Sequence, residues 1–310
     1  MPDRSNPAPD ANPAPDKKVS LLHQRILSWY AEEARDLPWR GPSTTPWGVL
    51  VSEVMLQQTP VVRVEPIWRQ WMLRWPTPTA LAAVAPGDAV HAWGRLGYPR
   101  RALRLHAAAV AIVERHDGAV PRAPSDLLEL PGVGIYTASA ISAFAFGQRA
   151  TVVDTNVRRV LARVFTGDGQ AAPSLTRAEM ALATSVLPSA TGDARTWNVA
   201  VMELGALLCL ARSPRCQDCP VQDVCAWQRA DRPAYKGPAR RSQSWHGTDR
   251  QCRGSILAVF RATREPVSAD DVVTAWSTND TQRDRCLDSL VADGLVEPLP
   301  GKRFRLPGRS

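Results

Sequence analysis

An all-α fold is predicted from three stretches of the chain. After Val19, residues Leu22, Ile26, Leu27 and Tyr30 recur at helical spacing. Val49, Leu50, Val51, Val54, Met55 and Leu56 form a second, largely apolar helix. The run Glu129–Arg159, ELPGVGIYTASAISAFAFGQRATVVDTNVRR, reads as helix, tight turn, helix, with Gly132 and Gly134 where the backbone must bend sharply. Such a turn points unpaired backbone N–H groups outward at a helix start, which suits a phosphate. An ordinary interhelical turn would read the same way.

Composition narrows the partners. The 310 residues, 44% hydrophobic, suffice for one large domain and a small one. A net charge of +8 and a pI near 9.6 favour a polyanion, with nucleic acid and acidic membrane both open on charge alone. No apolar run approaches the roughly 18 residues of a spanning helix, and the start lacks a signal-peptide core, so a cytosolic protein is expected. Lysine occurs only at positions 17, 18, 236 and 302, so no residue from Val19 to Tyr235 carries an ε-amino group for a Schiff base.

Taken in order, residues 1–18 contain NPAPD twice and are expected to be a disordered tail. The first helix should stop before Leu37-Pro38, leaving DLPWR as a loop. In PWGVLVSEVMLQQT, Glu53 sits among apolar residues, where burial raises a carboxyl pKa and makes it a proton donor; a solvent-facing Glu is the plain alternative. Gln57 lies one turn further on the same face, followed by Gln58. Trp68, Trp71 and Trp75 are expected in the core. Asp154 opens VRRVLARVF as a candidate helix cap, with Val157, Val160, Leu161 and Val164 on one side and Arg158, Arg159 and Arg163 on the other.

Cys209, Cys216, Cys219 and Cys225, spaced C-x6-C-x2-C-x5-C, read as metal ligands in a cytosolic context. Zinc competes, although its usual sites pair two CxxC knuckles and only one is present. Residues 228–250 are expected to be a basic linker, and Arg229, Arg232, Lys236, Arg240, Arg241, Arg250 and Arg253 crowd this region. Residues 251–310 read as three short helices and a β-wing, a small winged-helix-like module.

The PGVG turn with Asp154 some twenty residues on resembles the helix–hairpin–helix motif of the base-excision DNA glycosylases. SEVMLQQT matches the motif of the adenine DNA glycosylases of the MutY family, and the cysteine spacing resembles the [4Fe-4S] loop of that family and of endonuclease III. The resemblance covers residues from about 30 to 227. It implies a helix–hairpin–helix DNA glycosylase fold within 19–227, with 40–145 as the hairpin domain and 19–39 joined to 146–227 as the iron–sulfur domain. It further implies a monomer acting on double-stranded DNA, with no membrane partner, in the bacterial nucleoid.

The implied activity is monofunctional hydrolysis of the N-glycosidic bond of adenine opposite 8-oxoguanine or guanine. Glu53 then protonates the purine, Asp154 stabilises the sugar cation, and Tyr136 and Asn156 orient the carboxylate and water. Tyr136 stands where strand-cutting relatives carry lysine. Arg35, Trp39, Arg40 and Glu203 are implied to border the base pocket. Gln57, Gln58, Leu96, Tyr98, Gly132, Val133 and Gly134 are implied to meet DNA, with Leu96 and Tyr98 as a wedge. The sequence departs from the family at Pro99, which replaces a second aromatic, and after residue 227, where most members carry a larger Nudix-related domain that reads 8-oxoguanine. A thymine–guanine mismatch glycosylase shares the hairpin, Tyr136 and Asp154. A non-catalytic cluster-bearing DNA-binding regulator has no use for Glu53 and Asp154 together.

Overall fold

A computed structural model describes residues 15–235, 237 and 245–308. Lys236, Arg240 and Arg241 of the expected basic linker, and residues 1–14 of the expected tail, lie outside the described residues. In chain order the helices are α1 (Pro15–Glu33), α2 (Pro46–Leu56), α3 (Val61–Arg74), α4 (Pro78–Ala82), α5 (Pro86–Trp93), α6 (Arg100–His116), α7 (Pro124–Leu128) and α8 (Ile135–Phe144). They continue as α9 (Thr155–Leu161), α10 (Arg177–Ser185), α11 (Thr191–Leu207), α12 (Ala226–Arg229), α13 (Asp249–Ala262), α14 (Ala269–Ala275) and α15 (Asp280–Ala292). Three short strands, β1 (Val267–Ser268), β2 (Glu297–Leu299) and β3 (Arg303–Arg305), form an antiparallel sheet in the order β1-β3-β2. The protein is therefore mostly α, and no described helix is long and apolar enough to cross a membrane.

The chain divides into two compact units. The first joins the described residues up to Arg35 with those from Gly147 to Gly237. Its core packs Leu22 and Ile26 of α1 against Val157, Val160, Trp197, Val201 and Leu204 of α9 and α11. Helix α1 begins before the predicted boundary, so Lys17 and Lys18 belong to a helix and not to a tail. Lys18 is buried, donating Nζ to the Val164 carbonyl at 2.8 Å and lying 5.0 Å from the Phe165 ring, and these contacts anchor the helix start.

The second unit joins residues from Asp36 to Phe146 with those from Trp245 onward. Thr45 caps α2 by accepting from the Gly48 amide, and Pro46 fills the first turn, where no N–H partner is needed. The largely buried α2 then lies beside the small-residue helix α8. Trp68, Trp71 and Trp75 are core residues, with Trp71 edge-on to both Trp75 and Trp93.

Residues 251–310 do not stand apart as a module. Cys252, Ile256, Phe260, Leu290 and Leu295 belong to the same core cluster as Trp71, Val90 and Trp93. Gly87 donates its amide to the Pro307 carbonyl at 2.8 Å, and a Cβ at Gly87 would stand 2.6 Å from that oxygen. Arg264 pairs with Asp88, and Arg261 donates to the Val90 carbonyl at 3.1 Å. Arg250 and Arg253, placed in or near the linker by sequence, lie in α13.

Candidate nucleic-acid interface and cluster site

The turn between α7 and α8 is built on Gly132. Its φ is +83°, and a Cβ there would approach the Arg104 Cβ to 2.9 Å, so backbone conformation and space both call for glycine. Gly134 precedes α8 with open space beside its Cα, and the exposed turn leads into a free helix start. Val133 is buried, so its side chain holds the turn to the core and leaves the backbone for contact.

Glu53 is 6% exposed on α2, with Leu50, Val54 and Met55 buried around it. One turn on, Gln57 donates Nε2 to Thr137 Oγ1 at 3.4 Å and ties the end of α2 to α8. Gln58 is exposed with φ +56°. The bend is held by Arg101, buried on α6, which donates to the carbonyls of Val54, Met55, Gln57 and Gly97 and to Thr59 Oγ1. Burial pushes its pKa down to about 10, which leaves it charged at neutral pH. Tyr98 is 49% exposed with φ +47°.

In the first unit, Asp154 caps α9. Its Oδ1 accepts from the amides of Asn156 at 2.9 Å and Val157 at 2.7 Å, and its Oδ2 from Asn156 Nδ2 at 2.8 Å. Burial raises its pKa above the ordinary aspartate value; the bonds from Val157 and Asn156, and the Arg159 charge, pull against that rise. Asn156 Oδ1 in turn accepts from Arg159 Nη2 at 2.7 Å. A Cβ on Gly205 would stand 2.6 Å from the Asn156 Cβ, so α11 can lie this close to α9 only through a glycine.

Cys209, Cys216, Cys219 and Cys225 line one small cavity. Burial pushes the Cys219 thiol up to about 12 and raises that of Cys225, and the neighbouring sulfurs raise both further. Among the described residues no three Cys, His, Asp or Glu side chains converge on a single-ion site. Four cysteine thiolates are the donor set of an iron–sulfur cluster. Arg163, 3% exposed, donates to Cys209 Sγ at 3.2 Å and stacks 4.5 Å from the Trp227 ring.

Comparison with known proteins decides the family. A family model described as HhH-GPD superfamily base excision DNA repair protein matches residues 51–184, and the iron-sulfur binding domain of endonuclease III matches residues 209–225. Adenine DNA glycosylase of Mycobacterium tuberculosis (strain H37Rv) is 51% identical over 286 residues, 92% of this chain and 93% of that protein. The chain belongs to the adenine DNA glycosylase family. The Mycolicibacterium smegmatis member is 50% identical over 292 residues, covering 94% and 98%. Human adenine DNA glycosylase is 41% identical over 225 residues, 69% of this chain and 41% of that protein.

Among solved structures, a thermostable thymine-DNA glycosylase superposes with TM-score 0.63 at 28% identity, over 70% of this chain and 100% of that one. An endonuclease III–DNA complex superposes with TM-score 0.60 at 20% identity, over 71% and 99%, and supports the fold. The protein is a DNA glycosylase, a hydrolase of N-glycosyl bonds whose substrate is DNA, and a [4Fe-4S] cluster is its cofactor.

Placed on this adenine DNA glycosylase family member, the sequence assignments divide. Glu53, Gln57, Gln58, Tyr98, Tyr136, Gly132, Val133 and Gly134 all belong to the second unit, and Asp154, Asn156, Arg35 and Glu203 to the first. Leu96 is 3% exposed and packs in the core, whereas Tyr98, two residues on, is 49% exposed. Trp39 is likewise buried, edge-on to Trp68, whereas Arg40 beside it is half-buried.

Glu203 is 1% exposed and already gripped by Arg35. Arg35 donates its amide at 3.1 Å and Nε at 2.6 Å to Oε1, and Nη2 at 2.9 Å to Oε2. The sequence reading missed Arg101, Arg159, Arg163 and Gly205. Arg163, on the face opposite Val157 and Val160 by spacing, is brought inward to the cysteine loop by a π-helical turn over residues 162–166. The signal available was the four-residue spacing of Arg159 and Arg163, which puts both on one stripe.

Proposed function

We propose that the protein is a monofunctional glycosylase that releases adenine paired with 8-oxoguanine or guanine in duplex DNA, acting as a monomer at the nucleoid. The observation that carries this reading is Glu53, a carboxyl nearly closed off from water on a helix of apolar neighbours, with Gln57 and Gln58 immediately after it. A carboxyl so placed suits protonation of the departing purine at N7, which turns adenine into a good leaving group. Asp154, held by Asn156 and Val157, stabilises the oxocarbenium-like sugar as an anion, and Tyr136 and Asn156 orient the carboxylate and the attacking water. Arg35 fixes the Glu203 carboxylate at the wall of the base pocket.

Strand cutting through a Schiff base has no support in this chain. Position 136 is tyrosine, and Lys18 is engaged by Val164 and Phe165. Cys209, Cys216, Cys219 and Cys225 would hold the [4Fe-4S] cluster, which when bound ties the loop after α11 into a fixed shape. The likeness to a thymine-DNA glycosylase favours thymine opposite guanine as the second reading. One assay separates them. Duplexes carrying A opposite 8-oxoguanine, A opposite G, T opposite G, or normal pairs are incubated with enzyme and then treated with alkali. Cleavage at the two adenine mispairs and not at T opposite G supports adenine release; the reverse pattern overturns it.

A further inference from the structure

The second unit contains an open cleft of about 1680 Å³. One wall is the Gln57-Gln58 bend together with the segment from Gly94 to Arg104, and the other is a face of α13. Arg63, Arg95, Arg100, Arg101 and Arg104 come from the first wall. Arg250, Arg253 and Arg261 come from the second. Among the described residues Asp293 is the one carboxylate lining the cleft, and it is shared by Arg253 at 2.6 Å and Arg100 at 3.1 Å.

Gathering eight guanidinium groups around one carboxylate is unfavourable by self-repulsion unless a polyanion neutralises them, and low-dielectric walls focus the field into the groove. Arg261 sharpens the point. Burial pushes its pKa down to about 10, and its buried Nη2 has no hydrogen-bond partner. The middle of the α13 face is made of small residues, Gly254, Ser255 and Ala258, and a Cβ on Gly254 would meet nothing within 4 Å, so a backbone can lie close to the helix. Tyr98 and Trp245, each 49% exposed, add aromatic faces. The two walls are fixed by the shared core and by the Gly87–Pro307 and Arg261–Val90 hydrogen bonds, so the groove is preformed.

We propose that α13 is an additional DNA-contacting element, a jaw that faces the Gly94–Arg104 segment across this cleft and grips backbone phosphates of the substrate duplex. The inference rests on duplex DNA being the substrate and is independent of which base is released.

The test is a binding titration of the full-length, cluster-loaded protein against a fluorescent duplex containing only normal base pairs, repeated from about 50 to about 300 mM salt. Arg95→Gln/Arg250→Gln is compared with the parent and with Arg95→Lys/Arg250→Lys; thermal unfolding confirms the fold of each. If the two side chains each neutralise a phosphate, the slope of log K against log salt falls by about 2 in the Gln pair, affinity drops about ten-fold or more at physiological salt, and the Lys pair restores the slope. A Gln pair with the parent's slope overturns the proposal. So does a Lys pair that fails to restore it, because the effect would then not be electrostatic. The normal duplex separates this outcome from the adenine reading, which can fail on its own in the cleavage assay while the salt slope still reports the cleft.

Discussion

Arg159 donates Nε to the Cys209 carbonyl at 2.6 Å, and so links the catalytic-site candidate Asn156, which it also hydrogen-bonds, to the first cysteine of the cluster loop. The same guanidinium reaches Asn156 Oδ1 at 2.7 Å and the Gly205 carbonyl at 2.6 Å. Arg159→Lys keeps the charge but loses the planar fork that serves Cys209, Asn156 and Gly205 at once. It is expected to lower the unfolding midpoint by roughly 5 °C or more, as the loss of hydrogen bonds to buried carbonyls implies for a domain of this size. It should also reduce cluster content and slow base release together, which iron analysis and single-turnover cleavage on the same preparation would measure. Full iron content with slowed release would assign Arg159 to Asn156 alone.

Glu53→Gln and Asp154→Asn address the two proposed chemical roles. Each removes an ionisable proton or charge at nearly constant shape, so duplex binding should be retained while base release falls by at least about 10²-fold, the scale of acid–base assistance. Turnover near that of the parent in either variant removes that residue from the mechanism.

The acid limb of the pH–rate profile follows from Asp154. The group acts ionised, and burial raises its pKa above the ordinary value near 3.9, so activity should begin to fall on acidification at a pH above that value. Asn156→Ala removes a donor to the ionised carboxylate and therefore raises the pKa further. The limb should move to higher pH, beyond any drop in the plateau rate. A limb that stays in place, measured under single turnover, would show that another group controls it. By the same sign, the shift contributes stability below the unfolded-state pKa that is lost as pH rises through the folded-state value.

The helices and the chemistry were legible in the sequence to different degrees. Apolar spacing revealed α1, because burying one face leaves a period that can be read, whereas α2 and α8, buried on most sides, showed as apolar runs. Glu53, Asp154 and the cysteines stood out because a carboxyl in an apolar run, an Asp before a helix and four close thiols are rare on other grounds. The burial of Leu96 and Trp39 was not legible, because a motif fixes which residues occur but not which of them the core claims, and Tyr98 emerges with a positive φ of its own next to Gly97. The fusion of residues 251–310 to the second unit was hidden because its contacts, such as Gly87 with Pro307 and Arg261 with Val90, join residues 171 or more apart in sequence. Arg101 was unreadable since a buried arginine and a surface arginine look alike until their carbonyl partners are known.

Gly205→Ala tests the approach of α11 to α9. The added methyl meets the Asn156 Cβ and backbone at 2.6 to 3.1 Å, and backbone cannot swing aside as a side chain could. Overpacking of this kind costs about 1 to 3 kcal/mol, which urea denaturation would detect. Because the atoms displaced are those of Asn156, base release should fall more than duplex affinity. Equal losses of both would indicate general unfolding of the first unit.

Arg101 supports the last prediction. Its guanidinium closes over four carbonyls and one hydroxyl and so fixes both the Gln57-Gln58 bend and the loop that carries Tyr98. Two residues there, Gln58 and Tyr98, have positive φ, a conformation that costs about 1 kcal/mol or more each and persists only where the surroundings enforce it. Arg101→Lys leaves one ammonium with three donors for five acceptors, so the bend and the loop should relax toward ordinary backbone. Stability is expected to fall by about 2 to 5 kcal/mol, because buried carbonyls lose a charged donor. Since the relaxed segments are those assigned to DNA, duplex affinity should weaken about ten-fold even at temperatures where the variant is fully folded. Anisotropy titration well below the unfolding midpoint makes that separation. A folded Arg101→Lys protein with the parent's affinity would mean that Gln58 and Tyr98 keep their backbone conformations without the clamp.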